Sequence, residues 1–263
     1  MYVPGSPTLV LAHGWGVGPF VWGRLARLLA GRWRNVPIAV PGLGFSQDAT
    51  PGPSWTLAAA IDDLARNVAE EGLGPVIVIG SSVSGSAAIA LASRPPGNLA
   101  AIIAIGAAAR FVRADDYPMG MTFEEATGLV EAIRTDPVGM FSQVGPTAFW
   151  NDDDAEAAAR TGTEILSEVR ACGTPNRIAD SYEETLSTDI RSVLGEVSVP
   201  TLLIHGARDG IAPPAAGEFL AQRIPGSRLQ VVPGAGHLPH ATSSESTARA
   251  VATFIDELWG SRG

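Results

Sequence analysis

Lysine is absent from this chain, in which all 18 positively charged side chains are arginines. Its absence excludes reactions that need a lysine amine, such as Schiff-base formation, the anchoring of pyridoxal phosphate and phosphate binding by a P-loop. Cysteine occurs once, as Cys172. A single cysteine excludes an internal disulfide framework and a cysteine-rich metal site, so no metal centre is expected.

Basic charge and long apolar runs are also scarce. The 263 residues carry a formal net charge of −9, which disfavours nucleic acids and anionic membrane surfaces as partners. No basic segment followed by an apolar one opens the sequence, and the longest apolar stretch, residues 99–109, is too short to span a bilayer. We therefore expect a cytoplasmic protein with neither a nucleic-acid partner nor a membrane partner.

Hydrophobic residues make up 46% of the chain and are grouped in short aliphatic runs that alternate with helical patterns. Such runs, bounded by glycine or proline, are typical of strands that are buried on both faces of a parallel sheet. They predict strands at residues 8–12, 36–40, 76–79, 101–105, 201–204 and 228–232. Apolar residues at helical spacing predict helices at residues 20–29, 57–70, 84–93, 215–223 and 246–259. This alternation predicts an α/β protein with a mostly parallel, doubly wound sheet.

Residues 111–188 interrupt this alternation, because they contain no run that is typical of a strand. Thr122 and Glu125 form a capping-box pattern that predicts the start of a helix, and further helices are predicted at 152–171 and 176–186. We interpret this segment as a helical cap that is inserted between two core regions, residues 1–110 and residues 189–263. The cap carries five arginines against 15 acidic residues, a net charge of −10.

The first candidate for chemistry is a Gly-Ser-Ser-Val-Ser turn that begins at Gly80, after the third predicted strand. A strand that leads through a tight turn of small residues into a helix is typical of a nucleophile elbow, G-x-S-x-G, whose flanking residues nearly touch. Gly80 and Ser84 flank Ser82 in this way, so Ser82 is the predicted nucleophile, with serine in place of the second glycine. Ser81 and Ser84 remain alternatives, but Ser81 would put Ile79 at the crowded position and Ser84 lies one helical step too late.

The loop His13-Gly14-Trp15-Gly16, after the first predicted strand, is a candidate for half of an oxyanion hole. Acyl transfer develops negative charge on the substrate oxygen, and fixed backbone N–H groups stabilise that charge well. In enzymes with a nucleophile elbow, one donor follows the nucleophile and the other lies in the loop after this strand. The predicted donors are therefore the backbone N–H groups of Val83 and Trp15. We interpret His13 as a structural residue of the loop and not as a proton carrier.

An acidic residue and a histidine follow the last two predicted strands. Asp209 comes after the strand at 201–204 and His237 after the strand at 228–232. Active-site groups gather at the carboxyl ends of parallel strands, and the order Ser82, Asp209, His237 is the one expected with a nucleophile elbow. His237 is the predicted base and Asp209 the group that orients it. His205 and His240 are the alternatives for the base.

Together these motifs resemble the α/β-hydrolase fold family over nearly the whole chain. The turn at residues 40–46 resembles the family's D-x-P-G-x-G-x-S turn, with Ala39 where the family often has aspartate. Within the family, residues 13–16 with Trp22, and the entry to the cap at residues 109–119, are most similar to the pimeloyl-[acyl-carrier protein] methyl ester esterases. The resemblance implies a serine carboxylesterase that needs no cofactor and has a helical lid.

The predicted function is hydrolysis of a small or medium carboxylic ester, including methyl esters, through an acyl-enzyme. The apolar candidates for the substrate pocket are Trp15, Phe111, Met119, Met121, Phe141, Phe149 and Trp150. A thioesterase, a lactonase or a C–C bond hydrolase would use the same three residues, and a non-hydrolytic binding or cyclising member of the fold is a further alternative. The resemblance also implies an acyl carrier protein as partner, which the acidic cap disfavours because carrier proteins are themselves strongly acidic.

Overall fold

The computed structural model describes residues 5–45, 55–70, 74–171 and 175–260. In these ranges six strands form one sheet in the order β2-β1-β3-β4-β5-β6, and all neighbouring strands are parallel. The strands are β1 (Thr8–Ala12), β2 (Arg34–Ile38), β3 (Val76–Ser81), β4 (Leu99–Ile105), β5 (Thr201–Gly206) and β6 (Arg228–Val232). Cys172 and the end of the 40–46 turn lie outside the described ranges.

Helices connect the strands and cover the sheet. They are α1 (Gly23–Leu29), α2 (Leu57–Ala69), α3 (Val83–Ala92), α4 (Phe123–Thr135), α5 (Pro137–Ala148), α6 (Ala155–Ala171), α7 (Pro175–Leu186), α8 (Pro214–Ala221), α9 (Pro239–Thr242) and α10 (Ser244–Gly260). Short 3₁₀ turns lie at Pro19–Trp22 and Arg191–Glu196. Of the helices in the described ranges, none is both long and apolar enough to cross a membrane.

Alternate residues of the central strands enter two separate cores, one on each face of the sheet. In β1, Val10 and Ala12 belong to the core that is shared with α2, α3 and α8. Leu9 and Leu11 belong to the core that is shared with α1, α10 and the cap. Because both faces are covered, the central strands are aliphatic over most of their length, and the predicted doubly wound α/β sheet is confirmed.

The helices α4 to α7 all lie between β4 and β5 in the chain, within the range interpreted as the cap. The predicted capping box at the start of α4 is present: the Glu125 N–H donates to Thr122 Oγ1 and the Thr122 N–H donates to the Glu125 carboxylate. The chain enters and leaves this segment at adjacent points, since Arg110 and Asp189 form an isolated antiparallel bridge. Their side chains also form an ion pair of 2.9 Å.

Candidate active site

The turn between β3 and α3 holds Ser82 in a conformation that few residues adopt. Its φ of 54° is the only positive φ of a non-glycine residue in the described part of the chain. Such strain costs on the order of 1–3 kcal/mol and is typical of functional turns. The turn also demands glycine at position 80, where a Cβ atom would lie 2.5 Å from the carbonyl oxygen of Ser84, and at position 85, where it would lie 2.9 Å from that of Gly80.

These contacts explain how a serine is accommodated two residues after Ser82. The crowding at Gly80 comes from the backbone of Ser84 and Gly85, not from the Ser84 side chain. That side chain points away to the loop after β1, where its hydroxyl donates a hydrogen bond of 2.6 Å to the carbonyl oxygen of His13. The departure from G-x-S-x-G therefore leaves the geometry of the turn intact.

Three side chains that are distant in sequence meet at the carboxyl edge of the sheet. Ser82 Oγ lies 3.0 Å from His237 Nε2, and His237 Nδ1 lies 2.8 Å from Asp209 Oδ2. The Asp209 side chain is fully buried, and its other oxygen accepts hydrogen bonds from the N–H groups of Ile211 and Ala212. With its carboxylate fixed in this way, Asp209 holds the proton of His237 on Nδ1, so that Nε2 is free to accept the proton of the Ser82 hydroxyl.

The alternatives considered from the sequence lie elsewhere or have other partners. The Ser81 side chain is fully buried within β3, and the Ser84 hydroxyl is committed to His13. His205 donates from Nδ1 to the carbonyl oxygen of Ala212. His240 is fully buried, and its ring packs against Trp22 at a tilt of 30°, with 4.2 Å between ring centroids. None of these four side chains offers a serine–histidine pair comparable to that of Ser82 and His237.

The two predicted oxyanion donors lie on either side of the nucleophile. Val83 begins α3 directly after Ser82, and the loop after β1 passes so close that a Cβ at Gly14 would lie 2.9 Å from the Cβ of Ser82. Within the described part of the chain, the backbone N–H groups of Val83 and Trp15 donate to no protein acceptor. Both are therefore available to a substrate oxygen.

His13 has the structural position that was interpreted from the sequence. Its Nδ1 donates to the carbonyl oxygen of Gly14, and its Nε2 accepts from the N–H of Val40, at 2.9 Å in each case. These two bonds require the neutral ring, because an imidazolium has no acceptor. Burial lowers the pKa of His13 to about 4, in agreement with that requirement. The ring ties the loop after β1 to the segment that follows β2.

A cavity of about 520 Å³ opens onto Ser82 and His237. This volume is in the range of small-molecule sites, ~300–1,000 Å³. The cap supplies most of its wall, from α4, α5 and α7, and the core supplies the floor. The aliphatic and aromatic side chains that line it are Trp15, Val17, Val83, Phe111, Met121, Leu129, Ile133, Met140, Phe141, Val144, Ala148, Phe149, Tyr182, Leu186, Ile211 and Leu238.

Five of the seven pocket candidates line this cavity: Trp15, Phe111, Met121, Phe141 and Phe149. Met119 and Trp150 do not, and their assignment to the pocket is corrected here. Met119 packs against the core shared with α2 and α3, on the other side of the segment that leads into the cap. Trp150 lies just beyond α5, is 46% exposed, and its indole N–H donates to the carboxylate of Asp152.

Several lining residues were not selected from the sequence, most of them in α4, α5 and α7. Met140, Phe141, Val144 and Ala148 follow one another at helical spacing, which is a readable signal for one face of a helix. The signal was outweighed by the prolines and glycines within residues 137–146. Tyr182 lies in a predicted helix, but only the packing of α7 against α4 shows that its ring faces the site.

The wall of the cavity offers little to a charged ligand. Among the described residues that line it, Glu125 is the one acidic residue and none is an arginine, and the Glu125 carboxylate also caps α4. Burial raises the pKa of Tyr182, so its phenol stays neutral. No group of three histidine, cysteine or acidic side chains in the described ranges is arranged to hold a metal ion. The site therefore suits an uncharged, largely hydrocarbon group held beside Ser82.

Comparisons with known proteins agree with this geometry. The alpha/beta hydrolase fold family model matches residues 7–244. Among similar proteins, a pimeloyl-[acyl-carrier protein] methyl ester esterase of Aromatoleum aromaticum is 32% identical, over 92% of this chain and 95% of its own. One from Neisseria meningitidis is 30% identical, over 94% of this chain and 76% of its own.

A solved esterase structure from Exiguobacterium antarcticum has the same fold. It superposes with a TM-score of 0.84 at 24% sequence identity, covering 96% of this chain and 93% of that one. The resemblance read from the sequence is thus confirmed over nearly the full length. The chain belongs to the α/β-hydrolase fold family.

Proposed function

We propose that the protein is a serine carboxylesterase that hydrolyses small or medium carboxylic esters, among them methyl esters. The observation that carries the proposal is the hydrogen-bonded series Ser82, His237, Asp209, with 3.0 Å and 2.8 Å between the bonded atoms, beside an apolar cavity. The esterases among the relatives support the same class of reaction.

In the acylation step, Ser82 Oγ attacks the ester carbonyl carbon while its proton moves to His237 Nε2. Asp209 stabilises the imidazolium that forms, without taking its proton. The carbonyl oxygen becomes an oxyanion between the N–H groups of Val83 and Trp15. When the tetrahedral intermediate collapses, the C–O bond to the alcohol breaks, and the alcohol leaves with the proton from His237. The acyl group is then esterified to Ser82.

The deacylation step repeats these roles with water as the nucleophile. The water oxygen bonds to the acyl carbon while His237 Nε2 accepts a proton from the water, and the same two backbone N–H groups bind the second oxyanion. The bond between the acyl carbon and Ser82 Oγ then breaks, and His237 returns the proton to Oγ. The products are the carboxylic acid and a regenerated enzyme. The described residues of the cavity wall include no arginine to hold the released carboxylate, which favours its departure.

The cap at residues 111–188 determines the substrate class in this proposal. Its helices α4, α5 and α7 face the reacting serine with hydrocarbon side chains, so a buried acyl group has to be apolar. Thr185 donates its hydroxyl proton to the carbonyl oxygen of Tyr182, so that proton is not available to a polar substrate. We expect the rate with p-nitrophenyl esters to rise from acetate to medium chains, because each buried methylene contributes about 0.8 kcal/mol of binding.

The test is ester turnover together with active-site labelling. Wild-type protein should hydrolyse p-nitrophenyl acetate and butyrate and should be labelled once, at Ser82, by a fluorophosphonate. Ser82→Ala should lose both properties, while Ser93→Ala, in which the serine at the far end of α3 is removed, should keep them. Turnover that survives in Ser82→Ala would reject the mechanism. Turnover of thioesters or lactones alone would move the protein to one of the related reaction classes.

A more specific alternative is a substrate that is carried by an acyl carrier protein. The relatives support it, because they are esterases of a methyl ester on such a carrier. The charges of the cap count against it. Arg134 is already paired with Asp180 and Glu183, and Arg160 lies 3.5 Å from Glu156. We expect a free methyl ester to be cleaved at least as fast as the same ester on a carrier protein. Preference for the carrier-bound ester that weakens with added salt would instead support docking of an acidic partner.

A further inference from the structure

The loop after β1 carries one of the two proposed oxyanion donors on a backbone with little stiffness of its own. Trp15 lies between Gly14 and Gly16, and Gly16 has a φ of 75°, which favours glycine. An oxyanion donor has to lie about 2.7–3.1 Å from the developing charge to be effective. The residues that hold this loop in place therefore bear on the rate, although they touch no substrate.

One restraint comes from the core. The hydroxyl of Ser84, which is 1% exposed, donates to the carbonyl oxygen of His13 at 2.6 Å. Ser84 is in the same helical turn as Val83, the other proposed donor. A single short bond therefore links the two halves of the oxyanion hole. A glycine at position 84, as in G-x-S-x-G, would lack that bond.

A second restraint comes from the cap. The indole N–H of Trp15 donates to Ser181 Oγ in α7 at 3.0 Å. Ser181 is buried, and its own hydroxyl proton is directed to the carbonyl oxygen of Ile178, which leaves its lone pairs for the indole. The Trp15 ring also packs against Tyr182 and Phe141 of the cap, at 4.4 Å and 5.6 Å between ring centroids.

We propose that Ser84 and Ser181 are positioning residues that fix the backbone N–H of Trp15 in the oxyanion hole, Ser84 from the core and Ser181 from the cap. The proposal rests on the esterase function proposed above. The cap then does more than enclose the substrate, because its contacts with Trp15 help to position one donor of the oxyanion hole. Loss of either hydroxyl should weaken transition-state binding even for a substrate too small to fill the cap cavity.

The experiment compares Ser84→Ala, Ser181→Ala and Trp15→Phe, with p-nitrophenyl acetate as the substrate. We expect kcat to fall about 10-fold in each, below the loss of about 100- to 1,000-fold for a deleted donor, with KM changed by less than about twofold. Affinity for a trifluoromethyl ketone, whose adduct with Ser82 carries an oxyanion, should fall in parallel with kcat. In the pair Trp15→Phe and Ser181→Ala, the double variant should be no slower than either single variant, because both remove the same bond.

Ser244→Ala is the matched control, because it removes an equally buried hydroxyl that donates to the carbonyl oxygen of His240 at 2.7 Å, outside the cavity wall. Folding of each variant is checked by thermal unfolding. If Ser84→Ala does not fold, Ser181→Ala still tests whether the cap positions the backbone N–H of Trp15. Unchanged kcat, losses equal to that of Ser244→Ala, or a change confined to KM would overturn the proposal. Activity that survives in Ser82→Ala would instead overturn the esterase function itself.

Discussion

The rings of Trp15 and Phe141 stack with an interplanar angle of 19° and a centroid separation of 5.6 Å. Trp15 belongs to the core loop beside the nucleophile, and Phe141 belongs to helix α5 of the cap. This contact makes the wall of the cavity continuous across the boundary between the two parts of the chain. Changes in the cap are therefore expected to alter substrate preference in ways that depend on whether the side chain faces the cavity.

Two adjacent aromatic residues test that expectation directly. Phe149 lines the cavity and is 8% exposed, whereas Trp150 lies outside it. Phe149→Ala should shift the preferred p-nitrophenyl ester to a longer acyl chain and lower the free energy of unfolding by about 3 kcal/mol. Trp150→Ala should leave the chain-length profile unchanged. Equal profiles for the two variants would show that the cavity does not receive the acyl group.

The three side chains that meet at the sheet edge should behave as a unit. Asp209→Asn should preserve the fold but lower kcat by about 10⁴-fold, because the amide no longer fixes the His237 proton on Nδ1. His237→Ala and Ser82→Ala should each remove nearly all activity, and the double variant should be little worse than either one. Single-turnover kinetics with p-nitrophenyl acetate would measure these losses. Strictly additive losses would contradict a shared mechanism.

Three buried histidines predict that stability falls in mild acid. Burial lowers the pKa of His13 to about 4 and that of His240 to about 3, and it also lowers the pKa of His205. In the unfolded chain each would titrate near 6.5, so below that pH the unfolded state binds more protons and becomes favoured. As the pH falls below about 6.5, each of these histidines should lower the free energy of unfolding by about 1.4 kcal/mol per pH unit, until the pH reaches its pKa in the folded state.

Urea unfolding between about pH 7 and about pH 4.5 measures that slope. His240→Leu removes one titrating group from a site where neither ring nitrogen has a hydrogen-bond partner in the described structure. The free energy of unfolding of this variant should change less per pH unit than that of the wild type. The difference should correspond to about one titrating proton. An identical slope in the variant would mean that His240 is also neutral in the unfolded chain or becomes protonated in the folded one.

Glycine at position 80 is required by the nucleophile turn. Because a Cβ there would meet the Ser84 carbonyl oxygen at 2.5 Å, Gly80→Ala should displace α3, abolish turnover and destabilise the fold by several kcal/mol. Gly162, inside α6, has open space around it and is the matched control. Gly162→Ala should stabilise the protein by about 0.5–1 kcal/mol in thermal unfolding and leave turnover unchanged. Tolerance of alanine at position 80 would show that the turn is less constrained than its geometry indicates.

Much of the core was predictable because its signals are local. The aliphatic runs at 8–12 and 228–232 coincide with β1 and β6, and Asp209 and His237 were found because each follows such a run. The second strand lies two residues earlier than predicted, at Arg34–Ile38. Its first two residues, Arg34 and Asn35, are polar, so hydrophobic patterning places the start of the strand too late in the chain.

The cap was less predictable, because tertiary packing decides its details. Helix α5 was missed since Pro137, Gly139 and Gly145 give its sequence the composition of a loop. Asp136 caps it through the N–H of Gly139, and its buried face makes up for the poor propensity. Whether Met119 or Met121 faces the substrate likewise depends on how the segment after β4 turns, which no local pattern specifies.

The antiparallel bridge between Arg110 and Asp189 has an evolutionary consequence. An insertion whose two ends adjoin adds little loop-closure entropy to the folding of its host, so its length and sequence are free to diverge. Ser82, Asp209 and His237 all lie outside it. We infer that one cap can replace another at this junction without change to the catalytic residues, provided that the new cap contains a hydrogen-bond acceptor for the indole N–H of Trp15.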